Sequence, residues 1–177
     1  MGNTKSVLED EDFLELSINT HFTQKELKHL YKRFKKLDRT RLGSLSRADL
    51  LAIPELAMNP LSSRIITMFG TNKDDRTDFH DFALCLSKLH NGSREEKLDL
   101  AFSIYDIDGD GFVSLSDLEA VLNLMVGTNM SEEQGKEIAQ SLLTECDHDG
   151  DNALSREEFF QAMAGIDIER HLTISLK

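Results

Sequence analysis

The sequence predicts an all-α protein of four helix-loop-helix units, arranged as two paired lobes with short β-strands joining the loops of each pair. Two 12-residue loops of the same build, at 106–117 and 147–158, have amphipathic helical spacing on both sides. Two further 12-residue loops, at 38–49 and 70–81, extend the pattern into the first half of the chain. The four loops start 32, 36 and 41 residues apart, which is too irregular for a solenoid and favours two separate pairs.

The two C-terminal loops carry oxygen-bearing groups at the same positions. Carboxylates stand at loop positions 1, 3, 5 and 12, a serine at position 9 and a backbone carbonyl at position 7. This is the spacing with which the EF-hand supplies about six to eight oxygen ligands to Ca²⁺. Four carboxylates so close would repel one another unless a divalent cation lay between them. We therefore predict two calcium ions, one bound by Asp106, Asp108, Asp110, Phe112, Ser114 and Asp117, the other by Asp147, Asp149, Asp151, Ala153, Ser155 and Glu158.

The two acidic loops differ at positions 6 and 12. Gly111 suits the sharp turn at position 6 of the first loop; Asn152 stands there in the second and tolerates a left-handed backbone better than most side chains. Asp117 is one methylene shorter than the glutamate that usually clasps the ion at position 12, and Mg²⁺ would suffer less from this shortening. We expect the loop with Glu158 to bind calcium more tightly and the loop 106–117 to accept Mg²⁺ as well.

The two N-terminal loops lack essential ligands. In the loop 38–49, Leu42 offers no side-chain oxygen at position 5, and two arginines repel a cation. The loop 70–81 has Gly70 at position 1 and an aspartate at position 12. Both loops are predicted to be empty and to serve as scaffold.

Composition restricts the function classes. The chain has 177 residues and a net charge of −12, which argues against a nucleic-acid partner. No apolar run approaches the roughly 18 residues of a membrane span, and no signal peptide is recognisable. Cys85 and Cys146 form no disulfide or zinc pattern, which favours reduced thiols in the cytoplasm. No nucleophile–base pair or phosphate-binding glycine loop indicates an enzyme.

The N-terminus indicates lipidation. Met1 to Ser6 fits the M-G-x-x-x-[ST] pattern for myristoylation of Gly2. A single myristoyl chain anchors weakly and needs a second signal. The segment 25–41 has a local charge of +6 and could be drawn to anionic lipid, although a solvated helix face or a partner contact explains it equally well. We expect a cytoplasmic protein that is partly membrane-associated.

Helix signals divide the chain into four parts. We predict a myristoylated arm with a short helix over 1–22, a degenerate EF-hand pair over 23–90, a second pair over 91–165 and a tail over 166–177. Capping boxes start helices at Thr23 and Ser131, Gly127 ends one, Pro54 ends another, and Asn59-Pro60 opens the next. The tail alternates apolar and polar residues, which suits a strand or a lid.

Several segments together resemble calcineurin B and the calcineurin B homologous proteins over nearly the whole length. The matching segments are Met1-Gly2-Asn3, Arg33 to Asp38, Pro54-Glu55-Leu56, Asn59-Pro60-Leu61, Met125-Val126-Gly127 and Gly165 to Ile168. The compact connection 89–98 is similar to calcineurin B itself. The degenerate first two loops are similar to the homologous proteins.

The resemblance implies a regulatory subunit that wraps an amphipathic helix of a larger protein. That helix would belong to the catalytic chain of a calcium-dependent Ser/Thr phosphatase or to the cytoplasmic tail of a sodium/proton exchanger. A calcium buffer without a partner is the remaining alternative. The predicted partner groove consists of six apolar residues, although a residue of this kind is more often part of the core than of a groove: Leu118, Leu122, Met125, Leu142, Phe159 and Met163.

Overall fold

The computed structural model describes residues 8–70 and 75–166, and the chain divides between Ser93 and Arg94 into two compact units. We call the described residues up to 93 the N-terminal unit and residues 94–166 the C-terminal unit. Helices dominate both units, and each contains one short antiparallel strand pair. The predicted all-α fold with loop-pairing strands is confirmed.

The N-terminal unit begins with a short helix and then follows the predicted helix-loop-helix order. Its elements are α1 (Asp10–Asn19), α2 (Gln24–Leu37), β1 (Ser44–Ser46), α3 (Arg47–Leu50), α4 (Pro54–Ala57), α5 (Ser62–Thr67), β2 (Arg76–Asp78) and α6 (Phe79–Asn91). The capping box predicted at the start of α2 is present, since the Thr23 hydroxyl accepts from the Glu26 amide and the Glu26 carboxylate accepts from the Thr23 amide.

Two helix boundaries near the prolines were predicted wrongly. Pro54 does not simply end a helix, because it occupies the first position of the four-residue α4, where its missing N–H costs nothing. Helix α5 begins at Ser62 rather than at Pro60. The Asn59 side-chain oxygen accepts from the Leu61 amide at 2.9 Å, which holds the preceding residues in a turn.

An aromatic cluster forms the centre of the N-terminal unit. Its ring centroids lie 4.9 to 6.4 Å apart, in edge-to-face, tilted and stacked pairs. Phe13 brings α1 into this core, so the short helix is an integral part of the unit. The cluster consists of Phe13, Tyr31, Phe34, Phe69, Phe79 and Phe82.

The C-terminal unit contains two complete helix-loop-helix motifs. Its elements are α7 (Arg94–Tyr105), β3 (Val113–Ser114), α8 (Leu115–Val126), a 3-10 turn (Gly127–Asn129), α9 (Glu132–Cys146), β4 (Ala153–Leu154), α10 (Arg156–Ala162) and a second 3-10 turn (Met163–Gly165). Gly127 ends α8 with a φ of 57°, and Ser131 caps α9, both as predicted.

In both units, the two loops form a strand pair in which their position 8 residues lie opposite each other. Leu45 lies opposite Thr77 in one strand pair, and Val113 lies opposite Leu154 in the other. All four side chains are buried, so each pair of loops is joined by a small piece of core. This packing holds the two loops of each pair next to each other.

The core of the C-terminal unit joins the flanking helices to this strand pair. It is apolar throughout and includes both phenylalanines of an edge-to-face contact, Phe102 and Phe159, whose centroids are 5.4 Å apart. The core consists of Ala101, Phe102, Val113, Leu118, Ala139, Leu143, Leu154 and Phe159.

Candidate calcium sites

The loop 106–117 brings its first three aspartates together. One carboxylate oxygen from each of Asp106, Asp108 and Asp110 lies within 4.8 Å of the others. Backbone amides inside the loop hold them in place: Asp106 accepts from Gly109 at 2.7 Å, and Asp110 accepts from Phe112 at 2.9 Å. Amide donors lower the cost of gathering three negative charges, but a divalent cation is needed to neutralise them.

The loop 147–158 repeats this arrangement almost bond for bond. Oxygens of Asp147, Asp149 and Asp151 again lie within 4.8 Å of one another. Asp147 accepts from Gly150 at 2.7 Å and from Asn152 at 2.9 Å, as Asp106 does from the amides at positions 4 and 6. The equal hydrogen bonding shows that the sequence repeat is also a geometric repeat.

The position 6 residues adopt the left-handed backbone that the turn requires. Gly111 has a φ of 90°, and Asn152 has a φ of 67°. Asparagine is among the few side chains that enter this region at modest cost. Asn152 therefore adopts the left-handed backbone conformation that the sequence predicted it would tolerate.

The carboxylates at position 12 close both loops. One oxygen of Glu158 accepts from the amides of His148 at 2.7 Å and Asp149 at 3.3 Å, across the loop from its own helix. One oxygen of Asp117 accepts from the Ile107 amide at the longer distance of 3.2 Å. The extra methylene of Glu158 thus carries its carboxylate nearer to the opposite side of the loop.

The same two carboxylates also cap their helices. The second oxygen of Glu158 accepts from the Ser155 amide and hydroxyl at 2.9 and 2.8 Å, and Asp117 repeats this with Ser114 at 2.9 and 2.6 Å. Hydrogen bonds from the His148 amide, followed by those from Ser155, lower the pKa of Glu158 to about 2. Glu158 is therefore ionised at neutral pH, which is the state a calcium ligand requires.

The backbone ligand at position 7 is equivalent in the two loops. Phe112 and Ala153 are at position 7 and would contribute backbone carbonyls, while their amides donate to Asp110 and Asp151. Each loop thus offers only carboxylate, hydroxyl and carbonyl oxygens. Such a hard donor set fits Ca²⁺ or Mg²⁺ and does not fit a metal that prefers nitrogen or sulfur.

In the described part of the N-terminal loops, the carboxylates do not gather into such clusters. Within residues 8–70 and 75–166, the three-carboxylate groups fall in the two C-terminal loops. In the loop 38–49, the Asp38 carboxylate accepts from the amides of Leu42 and Gly43. Residues 71–74 of the second loop lie outside the described part of the chain. The prediction that both loops are empty stays a prediction.

The six residues predicted to form a groove differ in exposure. Leu118 and Phe159 are buried in the core, Leu122 and Met163 are partly buried against it, and Met125 and Leu142 are 49% and 41% exposed. Three more apolar residues that the predicted groove did not include are similarly exposed: Leu124, Ile138 and Ile166.

Two arginines that the sequence did not single out connect α7 with α10 and with the 3-10 turn that follows it. The Arg156 guanidinium donates to Asp99 of α7 at 2.6 Å and lies 4.6 Å from the centroid of the Phe160 ring. Arg94 of α7 donates to the carbonyls of Met163 and Ala164 at 3.2 and 3.1 Å. Their partners are 57 to 70 residues away, so no local pattern marks them.

Other predictions fall outside what the structure describes. Gly2 and the tail after Ile166 lie beyond the described residues. Among the described helices, none is long and apolar enough to span a bilayer.

Two adjacent helix-loop-helix units with this oxygen donor set define an EF-hand calcium-binding protein. Residues 95–164 match the family model described as an EF-hand domain pair. The calcineurin B protein of Naegleria gruberi is 45% identical, covering 99% of this chain and 100% of its own. Calcineurin B type 1 of Dictyostelium discoideum is 41% identical, covering 99% of this chain and 98% of its own. Calcineurin B of Schizosaccharomyces pombe is 38% identical, covering 98% of this chain and 98% of its own. The chain belongs to the calcineurin B family.

Proposed function

We propose that this chain is the calcium-binding regulatory subunit of a calcium-dependent Ser/Thr protein phosphatase and has no catalytic activity of its own. The observation that carries the proposal is the match of nearly the full chain, at 38 to 45% identity, to proteins named as the calcineurin B component. The match extends beyond the EF-hand pair at 95–164. A general calcium buffer would need to share only the metal loops.

The recognition surface proposed for the catalytic subunit lies on the C-terminal unit. Helices α8 and α9 pack against each other and carry Leu124, Met125, Ile138 and Leu142, which are 39 to 49% exposed. Burying an apolar side chain completely is worth roughly 1.5–3 kcal/mol, and these are already about half buried. Several such residues would supply the apolar contacts for one amphipathic helix. Any movement that exposes Leu118 or Phe159 would enlarge the surface.

Calcium would act through the two C-terminal loops. The proposed stoichiometry is two ions, with the loop 147–158 binding more tightly because Glu158 reaches across the loop to two amides. The loop 106–117, closed by the shorter Asp117, would accept Mg²⁺ at resting calcium concentrations. Both loops flank helices of the proposed recognition surface, so metal binding and partner binding are expected to be coupled.

Membrane attachment is proposed to combine Gly2 with the basic face of α2. Lys25, Lys28 and Lys32 are exposed along this helix, and Lys28 also pairs with Asp10 at 2.7 Å. A myristoyl group together with a basic surface gives the two signals that stable attachment to anionic lipid requires. The protein would then be cytoplasmic and partly membrane-associated.

Co-purification tests the main proposal. The chain is mixed with a calcineurin catalytic subunit, with the cytoplasmic tail of a sodium/proton exchanger, or with neither, in calcium and in chelator. Stable association with the phosphatase chain and stimulation of its activity are expected. Binding only to the exchanger tail would replace the proposal with the exchanger alternative, and binding to neither would leave the calcium buffer.

A matched pair of variants tests the recognition surface. Leu142→Glu places a charge among the exposed apolar residues of α9 and should weaken association with the catalytic subunit at least about tenfold. Gln140→Glu adds the same charge to the same helix two residues away, on a different face, and should leave the affinity unchanged. Equal effects of the two variants would rule out this surface.

A further inference from the structure

An arginine from the second loop reaches into the first loop. Arg76 lies on β2, and its Nε donates to the Ser44 hydroxyl at 2.8 Å. One of its terminal nitrogens donates to the Thr40 hydroxyl at 3.0 Å and also to the Ser44 carbonyl oxygen. The guanidinium is therefore bound by three oxygens of the loop 38–49.

These oxygens stand at positions that serve a metal ion in an occupied EF-hand. Thr40 is at position 3, and the Ser44 carbonyl is the backbone ligand of position 7. The Thr40 hydroxyl in turn donates to the Asp38 carboxylate at position 1, at 3.1 Å. A hydrogen-bonded chain thus runs from the guanidinium to the first carboxylate of the loop.

The loop retains two carboxylates that accept hydrogen bonds from loop amides and hydroxyls, and a cation beside the loop stabilises their negative charge further. Asp38 at position 1 and Asp49 at position 12 are only 7% and 6% exposed. Burying carboxylates without a cation or strong donors is costly, and an arginine remains protonated at any physiological pH. The guanidinium supplies both a positive charge and several donors.

The C-terminal unit gives an internal comparison. In the N-terminal strand pair, Ser46 lies opposite Arg76; in the C-terminal pair, Ser114 lies opposite Ala153 in the same register. Ala153 has no group that could enter the loop 106–117. That loop keeps three clustered aspartates, whereas the loop 38–49 has Asp38, Thr40 and Leu42 at the same positions. The loop that the Arg76 guanidinium enters is thus also the loop that lacks carboxylates at positions 3 and 5.

We propose that the Arg76 guanidinium is the resident cation of the first EF-hand loop and holds the N-terminal unit in its folded form without metal. A cation attached to the chain cannot dissociate, so its stabilising effect does not depend on calcium concentration. The N-terminal unit is then a permanent scaffold, and the calcium response belongs to the C-terminal unit.

The tyrosines provide a reporter for this unit within the full chain. The protein has two tyrosines and no tryptophan. Tyr31 packs in the aromatic cluster of the N-terminal unit, and Tyr105 packs beside Phe159 in the other unit. In a Tyr105→Phe background, tyrosine fluorescence therefore follows unfolding of the N-terminal unit alone. Its midpoint should agree within about 2 °C in chelator and in millimolar calcium.

Arg76→Gln in this background removes the charge and shortens the donor group. In chelator, the Tyr31 midpoint should fall by about 5–10 °C, the scale for losing hydrogen bonds to a charged group in a unit of this size. Arg39→Gln is the matched control, since Arg39 is an exposed arginine of the loop 38–49, into which Arg76 reaches. A midpoint of the unsubstituted background that rises by several degrees with calcium, or equal effects of the two glutamine variants, would overturn the proposal.

Calcium stoichiometry supplies a test that a merely structural arginine would not affect. Leu42→Asp restores the carboxylate at position 5, where Leu42 is 57% exposed and the change is tolerable. With Arg76 in place, this variant should bind no additional ion compared with the parent chain. Combining it with Arg76→Ser should add one ion per chain. An additional ion with Leu42→Asp alone, or none with the double variant, would overturn the claim that the guanidinium occupies the cation position.

Discussion

Glu158→Gln is the substitution that most directly tests the tighter calcium site. The amide keeps the size of the side chain but removes one negative charge and one of the two carboxylate oxygens. In the structure, one oxygen of Glu158 faces the loop amides of His148 and Asp149, and the other caps the helix through Ser155. Glutamine cannot provide acceptors on both sides, because its amide nitrogen only donates.

The expected loss of calcium affinity is large because the affinity of an EF-hand loop depends on the charge of its ligands. EF-hand affinities vary over several decades with the number of charged ligands, so we expect at least about a hundredfold weaker binding at the loop 147–158. Calorimetry should then show one ion per chain in place of two at micromolar calcium. Glu157→Gln is the control, since it removes the same charge from an exposed neighbour on the same helix. An unchanged titration for Glu158→Gln, or an equal loss for the control, would refute the assignment.

Three further predictions concern other parts of the chain. Asp117→Glu restores the missing methylene and should raise the calcium affinity of the loop 106–117 by about tenfold, reducing competition by Mg²⁺ in the same calorimetric titration. Gly2→Ala should shift the protein from membranes to the soluble fraction in cells, since it removes the acylation site; an unchanged distribution would exclude myristate as the anchor. Hydrogen bonds from Thr23 lower the pKa of Glu26, so its stabilisation of α2 is present above about pH 4.5 and is lost as the pH falls through the lowered value. Thr23→Ala should return that pKa towards its ordinary value in a carboxyl NMR titration and cost roughly 1 kcal/mol of stability.

The calcium loops could be recognised from the sequence because their geometry is local. Every ligand of a loop lies within 12 residues, and the hydrogen bonds that orient the aspartates span two to five positions. The same is true of the capping boxes at Thr23 and Ser131, which depend on residues three positions apart. Spacing along the chain is enough to specify such features.

The helix boundaries near Pro54 and Pro60 show where local patterns are ambiguous. A proline is compatible both with the end of one helix and with the first turn of the next. At Pro54 the chain uses the second option, and near Pro60 the turn held by Asn59 delays the helix to Ser62. Neighbouring contacts that no short pattern contains decide between the alternatives.

The sequence by itself determined the repeated motif, the two acidic donor sets, the class of metal they suit and the family resemblance. Only the tertiary structure decided that Leu118 and Phe159 lie in the core while Met125 and Leu142 stay exposed, because helical spacing does not tell which apolar side is covered. It also decided that Arg76 binds Thr40, 36 residues earlier in the chain. A charged side chain has no preferred partner in the sequence, and only the folded strand pairing brings this guanidinium to the loop oxygens.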